Sequence, residues 1–515
     1  MKFAHFLHMY QPYDQYPGTL EKIVNESYRP LIRGFFKNEK TKITLNINAV
    51  LIELLFKHGY RDVLEDLKLL VEMGRVDLTG SAKYHSFLPL LPSDEVRRQI
   101  ELNHETSKRY LGDAFNPKGF FSPEMGYSPK IAKIVKELGY EWILADETSV
   151  EHIKSPSDNS AIYEIDGTGL KVFFREKAPS NLIMGALVRS AESLEKVMGN
   201  RLKDNSYVVT AMDAETFGHH RPGLENELFD VMNSPAFENV LISDLDKYFD
   251  KTVQIVPKDS SWASSIIDVQ NGNPYDLWFD KHNKIHELEW GFVTLAIRLV
   301  NDSEYSDKKY PQLLQEFKPF EDLTDEEKTG EHKKGKWLKA RDLLDKALNS
   351  DPMWWSSAKP WWSVEMIEKG MFALWRVVRN LPDISDKELD NAEDFYKKIL
   401  FMGHEWQRKG VVHQKAKEDD KDHMIPMSKR FGAAAHYKAL LEALNIEEKK
   451  ARERREYEQA IKWRDSQFKL ERDLDVYDAV HVLDVFRNEG DFSKFEELLK
   501  EYREKYRLIS KGQPE

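Results

Sequence analysis

"SYVVTAMDAETFGHHRPG", residues 206–223, is an apolar run that ends abruptly in Asp213, Glu215, His219 and His220. Its first half reads as a buried strand, because its apolar residues are unbroken by charge until Asp213. The same form recurs upstream, in residues 1–8, "KITLNINA" (42–49), "RVDLTGS" (75–81), "KGFFSPEMG" (118–126) and "YEWILAD" (140–146). "AIYEID" (161–166) and "LKVFFRE" (170–176), joined across Gly167 and Gly169, read as a hairpin, and "VLISDL" (240–245) as a last strand. Amphipathic stretches separate the strands, around 20–36, 51–73, 93–102 and 129–138. Strands alternating with helices imply parallel strands linked by crossover helices, in a barrel or an open sheet.

Polar residues decide between the two. His8, His85, Glu124, Asp146 and Asp213 each follow a strand. A barrel gathers all its C-terminal strand ends at one mouth, whereas an open sheet converges near its switch point. Five strand ends bearing reactive side chains therefore favour the barrel. After about residue 283 the pattern turns helical: Ile285, Leu288, Phe292, Leu295 and Leu299 keep a helical rhythm, as do Ile367, Met371, Leu374 and Val378. A charged stretch, 302–336, lies between them as a loop or insertion, and the tail from 447 carries mixed charge on a helical pattern. The expected division is a catalytic barrel over 1–284, a helical domain over 285–445 that contributes to the cleft, and a charged helical segment over 446–515.

Composition narrows the chemistry. A net charge of −12 argues against nucleic acid and anionic membrane as partners and suits a neutral substrate. With no cysteine, thiolate metal sites, disulfides and cysteine nucleophiles are excluded. No apolar run approaches membrane-spanning length, and the first residues lack a signal-peptide pattern, so a cytoplasmic protein is expected. Two carboxylates on separate strand ends, Glu124 and Asp213, are the equipment of glycoside hydrolysis, one attacking the anomeric carbon and the other protonating the leaving oxygen.

Motif by motif the chain resembles glycoside hydrolase family 57. "HMYQP" (8–12) is similar to the family's His-x-His-Gln-Pro signature, with Tyr10 in place of the second histidine, and "LTGSAKYHSFLPLLP" (78–92) to its second motif. "GFFSPEMGYSP" (119–129) resembles the nucleophile motif and "AMDAETFGHH" (211–220) the acid/base motif, with Ala214 where glycine is common. Residues 260–290 look like the tryptophan-bearing segment that leads into the family's helices. The resemblance implies a distorted (β/α)7 barrel followed by a C-terminal α-helical domain. It implies a retaining enzyme acting on α-glucans or maltooligosaccharides, of α-amylase type first, with 4-α-glucanotransferase or branching activity as the alternative. Glu124 is then the nucleophile and Asp213 the acid/base, roughly 5 to 5.5 Å apart, and no cofactor or metal is needed.

Sugar contacts are expected from His8, Tyr10, Gln11, His85, Asp146, Glu215 and His220. Trp262, Trp278, Trp354, Trp355, Trp361 and Trp362 either stack on sugar faces or pack as core. Two other readings stay open at this level. One is a metal-dependent deacetylase or α-mannosidase type using His5, His8, His219, His220 and Asp213, although a strand sets His5 and His8 on opposite sides. The other is a non-catalytic carbohydrate-binding protein. The sequence leaves the oligomeric state open.

Overall fold

The computed structural model describes residues 1–150, 160–188, 190–306, 332–359, 361–422, 434–472, 482, 483, 485, 486 and 489–510. Its strands are β1 (Lys2–Met9), β2 (Ile43–Ile47), β3 (Val76–Gly80), β4 (Gly119–Phe120), β5 (Trp142–Asp146), β6 (Ile162–Ile165), β7 (Leu170–Arg175), β8 (Tyr207–Asp213), β9 (Glu238–Asn239) and β10 (Thr252–Ile255). Seven of them run parallel in the order β8-β1-β2-β3-β4-β5-β7. The two ends of this curled sheet meet where Glu176 N donates to Val209 O (2.9 Å), just beyond β7, and where Arg175 Nε donates to Ala211 O (2.8 Å). The result is the expected distorted seven-stranded barrel, with the β6–β7 hairpin and β10 extending it.

Strand parity divides the barrel into two layers. Ala4 and Phe6 of β1, Trp142 and Leu144 of β5, Phe173 of β7, and Tyr207, Val209 and Ala211 of β8 fill the interior as one buried cluster. Their neighbours Phe3, Leu7, Val208 and Met212 pack outward against the helices. Continuing the inward series places His8, Asp146, Arg175 and Asp213 at the C-terminal mouth.

Residues 240–245 are not a strand. Ile242–Lys247 forms a 3-10 turn, and Val240, Ile242, Leu245 and Phe249 plug the N-terminal end of the barrel. Their uneven spacing suits a plug better than a two-faced strand, and Ile242 N and Trp142 Nε1 tie it down by donating to Thr44 Oγ1 and Ser243 Oγ, both at 3.0 Å.

The helical patterns beyond 283 appear as Lys284–Asn301 and Val364–Asn380, joined by His332–Ala347 and Asp386–Lys409. Residues 307–331 of the charged stretch lie outside the described residues. These helices share one core with the outer faces of β5 and β7. The helix Ala434–Glu453 runs across position 446, and the residues around Leu440, Leu444, Trp463 and Phe486 form a separate core. Among the described residues no helix is long and apolar enough to cross a membrane.

A buried ionic knot fastens the helices to the barrel. Arg341 grips Glu95 with two bonds (2.9 and 2.8 Å) and Asp345 with a third (2.8 Å), while Arg98 closes on Asp345 at 2.8 and 2.6 Å. All four side chains are at most 5% exposed. Removing one partner from such a group strands the others as uncompensated buried charge. Arg341→Met should therefore cost about 3–5 kcal/mol, read as a lower thermal midpoint and as faster proteolysis within 332–410; an unchanged midpoint would refute this role.

Candidate active site

At the barrel mouth a cleft of about 740 Å³ opens between the strand ends and the helical region. Glu124 sits in a sharp turn after β4 with φ +59°, followed by Met125 at +53°. Backbone of this kind is costly for residues with a side chain and is held where surrounding structure dictates it. Here the turn aims the carboxylate into the cleft, where Oε2 accepts from Trp262 Nε1 (2.8 Å). Asp213 ends β8 directly opposite His8 of β1 and lines the same cleft.

Three carboxylates share this space with Asp351, and their charges interact. Burial, then the Asp213 charge, raises Glu124 from 4.5 to about 8, with the Trp262 bond opposing and Asp351 assisting. Burial raises Asp213 too, against the pull of the Arg175 guanidinium. Burial and the Asp213 charge raise Glu215, whose Oε1 accepts from the Tyr28 hydroxyl, from Gln11 Nε2 (3.1 Å) and from Tyr10 N (3.4 Å).

The histidines of the first two motifs form a relay beneath the cleft. His8 Nδ1 lies 2.8 Å from Asn46 Oδ1, His8 Nε2 lies 3.0 Å from His85 Nε2, and His85 Nδ1 lies 3.1 Å from Ser350 Oγ. Burial holds both rings neutral, His8 at about 4. With Asn46 accepting, the chain of donors has one consistent direction: Ser350 to His85, His85 to His8, His8 to Asn46. Tyr10 stacks on His85 at 3.9 Å, and its hydroxyl donates to Asp351 Oδ2 (3.1 Å).

Of the other expected contacts, Gln11, His220, Trp262, Trp354, Trp355 and Trp361 line the cleft. Trp354 and Trp361 stack on each other at 4.5 Å, with Trp355 edge-on to Trp354. Three expectations fail by position. Asp146 is fully buried below the cleft, bonded to Arg175 Nη1 (3.1 Å) and 3.7 Å from Lys177 Nζ, so it orients those cations instead of meeting sugar. Trp278 is 1% exposed and stacked on Phe87 at 4.5 Å, and Trp362 stacks on Trp406 at 5.9 Å; both serve packing. His219 lies on the cleft wall, where Nδ1 pairs with Glu26 Oε2 at 2.6 Å. His5 faces outward, away from His8, and among the described residues no three His, Asp or Glu side chains converge as a metal-ligand set.

The sequence reading missed Arg175, Lys177, Asp351 and Tyr28. Arg175 was within reach, since it continues the inward parity of "LKVFFRE". Asp351 begins the tryptophan-rich stretch, but its place at the mouth depends on how the helices dock.

The model of glycosyl hydrolase family 57 matches residues 2–252, which contain both candidate carboxylates. Residues 2–252 belong to glycosyl hydrolase family 57. Alpha-amylase 1 of Dictyoglomus thermophilum is 29% identical over 148 residues, 28% of this chain and 21% of that protein. The 4-alpha-glucanotransferase of Thermococcus litoralis is 24% identical over 147 residues, 28% of this chain and 22% of that protein. The aligned part thus spans about a fifth of these curated relatives. Among solved structures, the family 57 branching enzyme of Thermococcus kodakaraensis superposes with TM-score 0.57 at 15% identity, over 76% of this chain and 94% of that one. The exo-type maltose-forming amylase of Pyrococcus sp. ST04 also gives 0.57, at 13% identity, over 77% and 83%. Likenesses at this identity show that the chain shares the fold of those structures, strands and following helices together.

A carboxyl whose folded value lies above its unfolded one binds a proton in the folded state that the unfolded chain releases, so its contribution falls as pH rises. For Glu124 that window runs from 4.5 to about 8. Glu124→Gln should therefore raise the melting temperature by a few degrees at pH 8 and change it little at pH 4.5; equal shifts at both would contradict the burial argument.

Proposed function

We propose that the chain is a retaining glycoside hydrolase acting on α-glucans, of α-amylase type, with Glu124 as nucleophile and Asp213 as acid/base. The observation that carries this is the convergence of Glu124 and Asp213, from different strand ends, on one tryptophan-walled cleft. In the first step a Glu124 oxygen attacks the anomeric carbon, the glycosidic C–O bond breaks, and the departing oxygen takes its electron pair and the Asp213 proton. In the second, water attacks the same carbon, the ester bond to Glu124 breaks, and Asp213 takes back a proton. Two like charges this close share one proton near neutrality. The productive form is the one with that proton on Asp213 and Glu124 ionised, and a sugar oxygen placed against Asp213 favours it.

Tyr10, Gln11 and His220 suit the hydroxyls of the bound sugar, while His8, with both ring nitrogens engaged by Asn46 and His85, shapes the floor beneath it, and Glu215 lies beside Asp213. Trp262, Trp354, Trp355 and Trp361 suit its apolar faces, since a ring edge of C–H bonds lies well on indole. Arg175, braced by Asp146, keeps the Asp213 side of the cleft from accumulating uncompensated charge.

The packed tryptophans also favour a second reading, 4-α-glucan transfer or branching. Transfer differs from hydrolysis in the nucleophile of the second step, a sugar hydroxyl in place of water, and an aromatic acceptor side disfavours water. A cytoplasmic location goes with either reading and is checked by cell fractionation.

Incubation with maltoheptaose followed by product analysis separates the outcomes: shorter sugars alone mean hydrolysis, longer ones mean transfer, and new α-1,6 links on amylose mean branching. Glu124→Gln and Asp213→Asn should each lower turnover at least a thousandfold with the circular dichroism spectrum retained; near-normal turnover in either would remove that residue from the chemistry.

A further inference from the structure

Between the helices Pro17–Ile23 and Arg29–Lys37 the chain forms a π-helical turn, Val24–Tyr28. Turns of this type are rare and gather at functional sites. This one faces the loop that follows β8, and three consecutive residues hold that loop. Glu26 Oε2 pairs with His219 Nδ1 (2.6 Å), Ser27 Oγ donates to Ala214 O (2.9 Å), and the Tyr28 hydroxyl donates to Glu215 Oε1. Ser27 and Tyr28 are 0% exposed. The loop's backbone presses close in return: a Cβ on Gly218, whose φ is +99°, would lie 2.0 Å from Glu26 O.

We propose that Tyr28 is a positioning residue for the glycosyl-transfer chemistry, its hydroxyl anchoring Glu215 beside Asp213 and favouring the charged form of Glu215 against burial, so that the proton the two share is drawn toward Asp213. This rests on the assignment of Asp213 as acid/base. Gln11 Nε2 and Tyr10 N converge on the same Glu215 oxygen, and hydrogen bonds donated to a carboxylate favour its charged form. Ser27 acts on the backbone between the two carboxylates, setting their separation. The charged and titratable groups around Glu215 are Asp213 and Tyr28. Glu124 and Arg175 reach Asp213 from other strand ends, Asp351 faces Glu124, and Glu26, His219 and His220 close the outer edge. Without the Tyr28 hydroxyl, Glu215 holds the shared proton more firmly, and Asp213 keeps its own only to lower pH.

The test compares wild type and Tyr28→Phe on maltoheptaose across pH. Expected are a 10- to 100-fold fall in kcat, KM within about threefold, and an alkaline limb of the kcat profile displaced to lower pH by about one unit. A folded Tyr28→Phe with wild-type kcat and profile overturns the proposal while leaving the assigned function intact, as does a loss confined to KM. A wild type inactive on every α-glucan overturns both. Should Tyr28→Phe fail to fold, Ser27→Ala carries the test: a three- to tenfold lower kcat at constant KM supports the clamp, and an unchanged kcat overturns it.

Discussion

A parallel pair of strands cannot slip by one residue without turning every side chain to the opposite face. The pairing of β1 with β8, which sets His8 beside Asp213, is therefore the constraint on which the mouth of this barrel depends. One register places two polar ends inward, above the apolar interior of Phe6, Tyr207 and Ala211. The closing contacts reinforce it, since Arg175 Nε reaches Ala211 O only with β7 and β8 aligned as they are. Asp146 then neutralises the guanidinium that the closure brings into the barrel.

Above that floor the molecule concentrates what folding ordinarily avoids. Glu124, Asp213, Glu215 and Asp351 crowd one partly shielded cleft close enough to perturb one another, and His85, Glu124 and Met125 hold positive φ. Each feature opposes folding, and such features collect where function requires them. The opposing stabilisation comes from two large apolar cores and from the Glu95–Arg98–Arg341–Asp345 knot. That knot has a second consequence. By fixing the helical region against the barrel it sets Ser350 on His85, Asp351 on Tyr10 and the tryptophans along one wall, so a cleft half-built by the barrel is completed from outside it.

The parts legible in the sequence were those that local rules govern. Alternating strands and helices, with reactive residues at five strand ends, showed the barrel; parity showed which way His8 and Asp213 face, and the turn between Pro123 and Gly126 showed Glu124. Where position depends on distant packing the sequence misled. Asp146 has the same parity as Asp213 yet meets Arg175 before any ligand, and a strand pattern in 240–245 served as a plug. Nothing local separates Trp354 from Trp362, which lie in the same tryptophan-rich stretch; one faces the cleft and the other faces Trp406 because of how two helices dock. Tyr28 was hidden for a related reason, since helical periodicity does not foretell a π-helical turn.

In the proposed reaction Glu124 carries the sugar between the two displacements. Mass spectrometry of the enzyme trapped with a fluorinated α-glucosyl fluoride, which slows the second displacement, tests this directly. One added glycosyl mass is expected on the peptide containing Glu124, lost on prolonged incubation with maltose as acceptor. A glycosyl mass on Asp213 or Glu215, or an enzyme that turns over the reagent without ever becoming labelled, would contradict it.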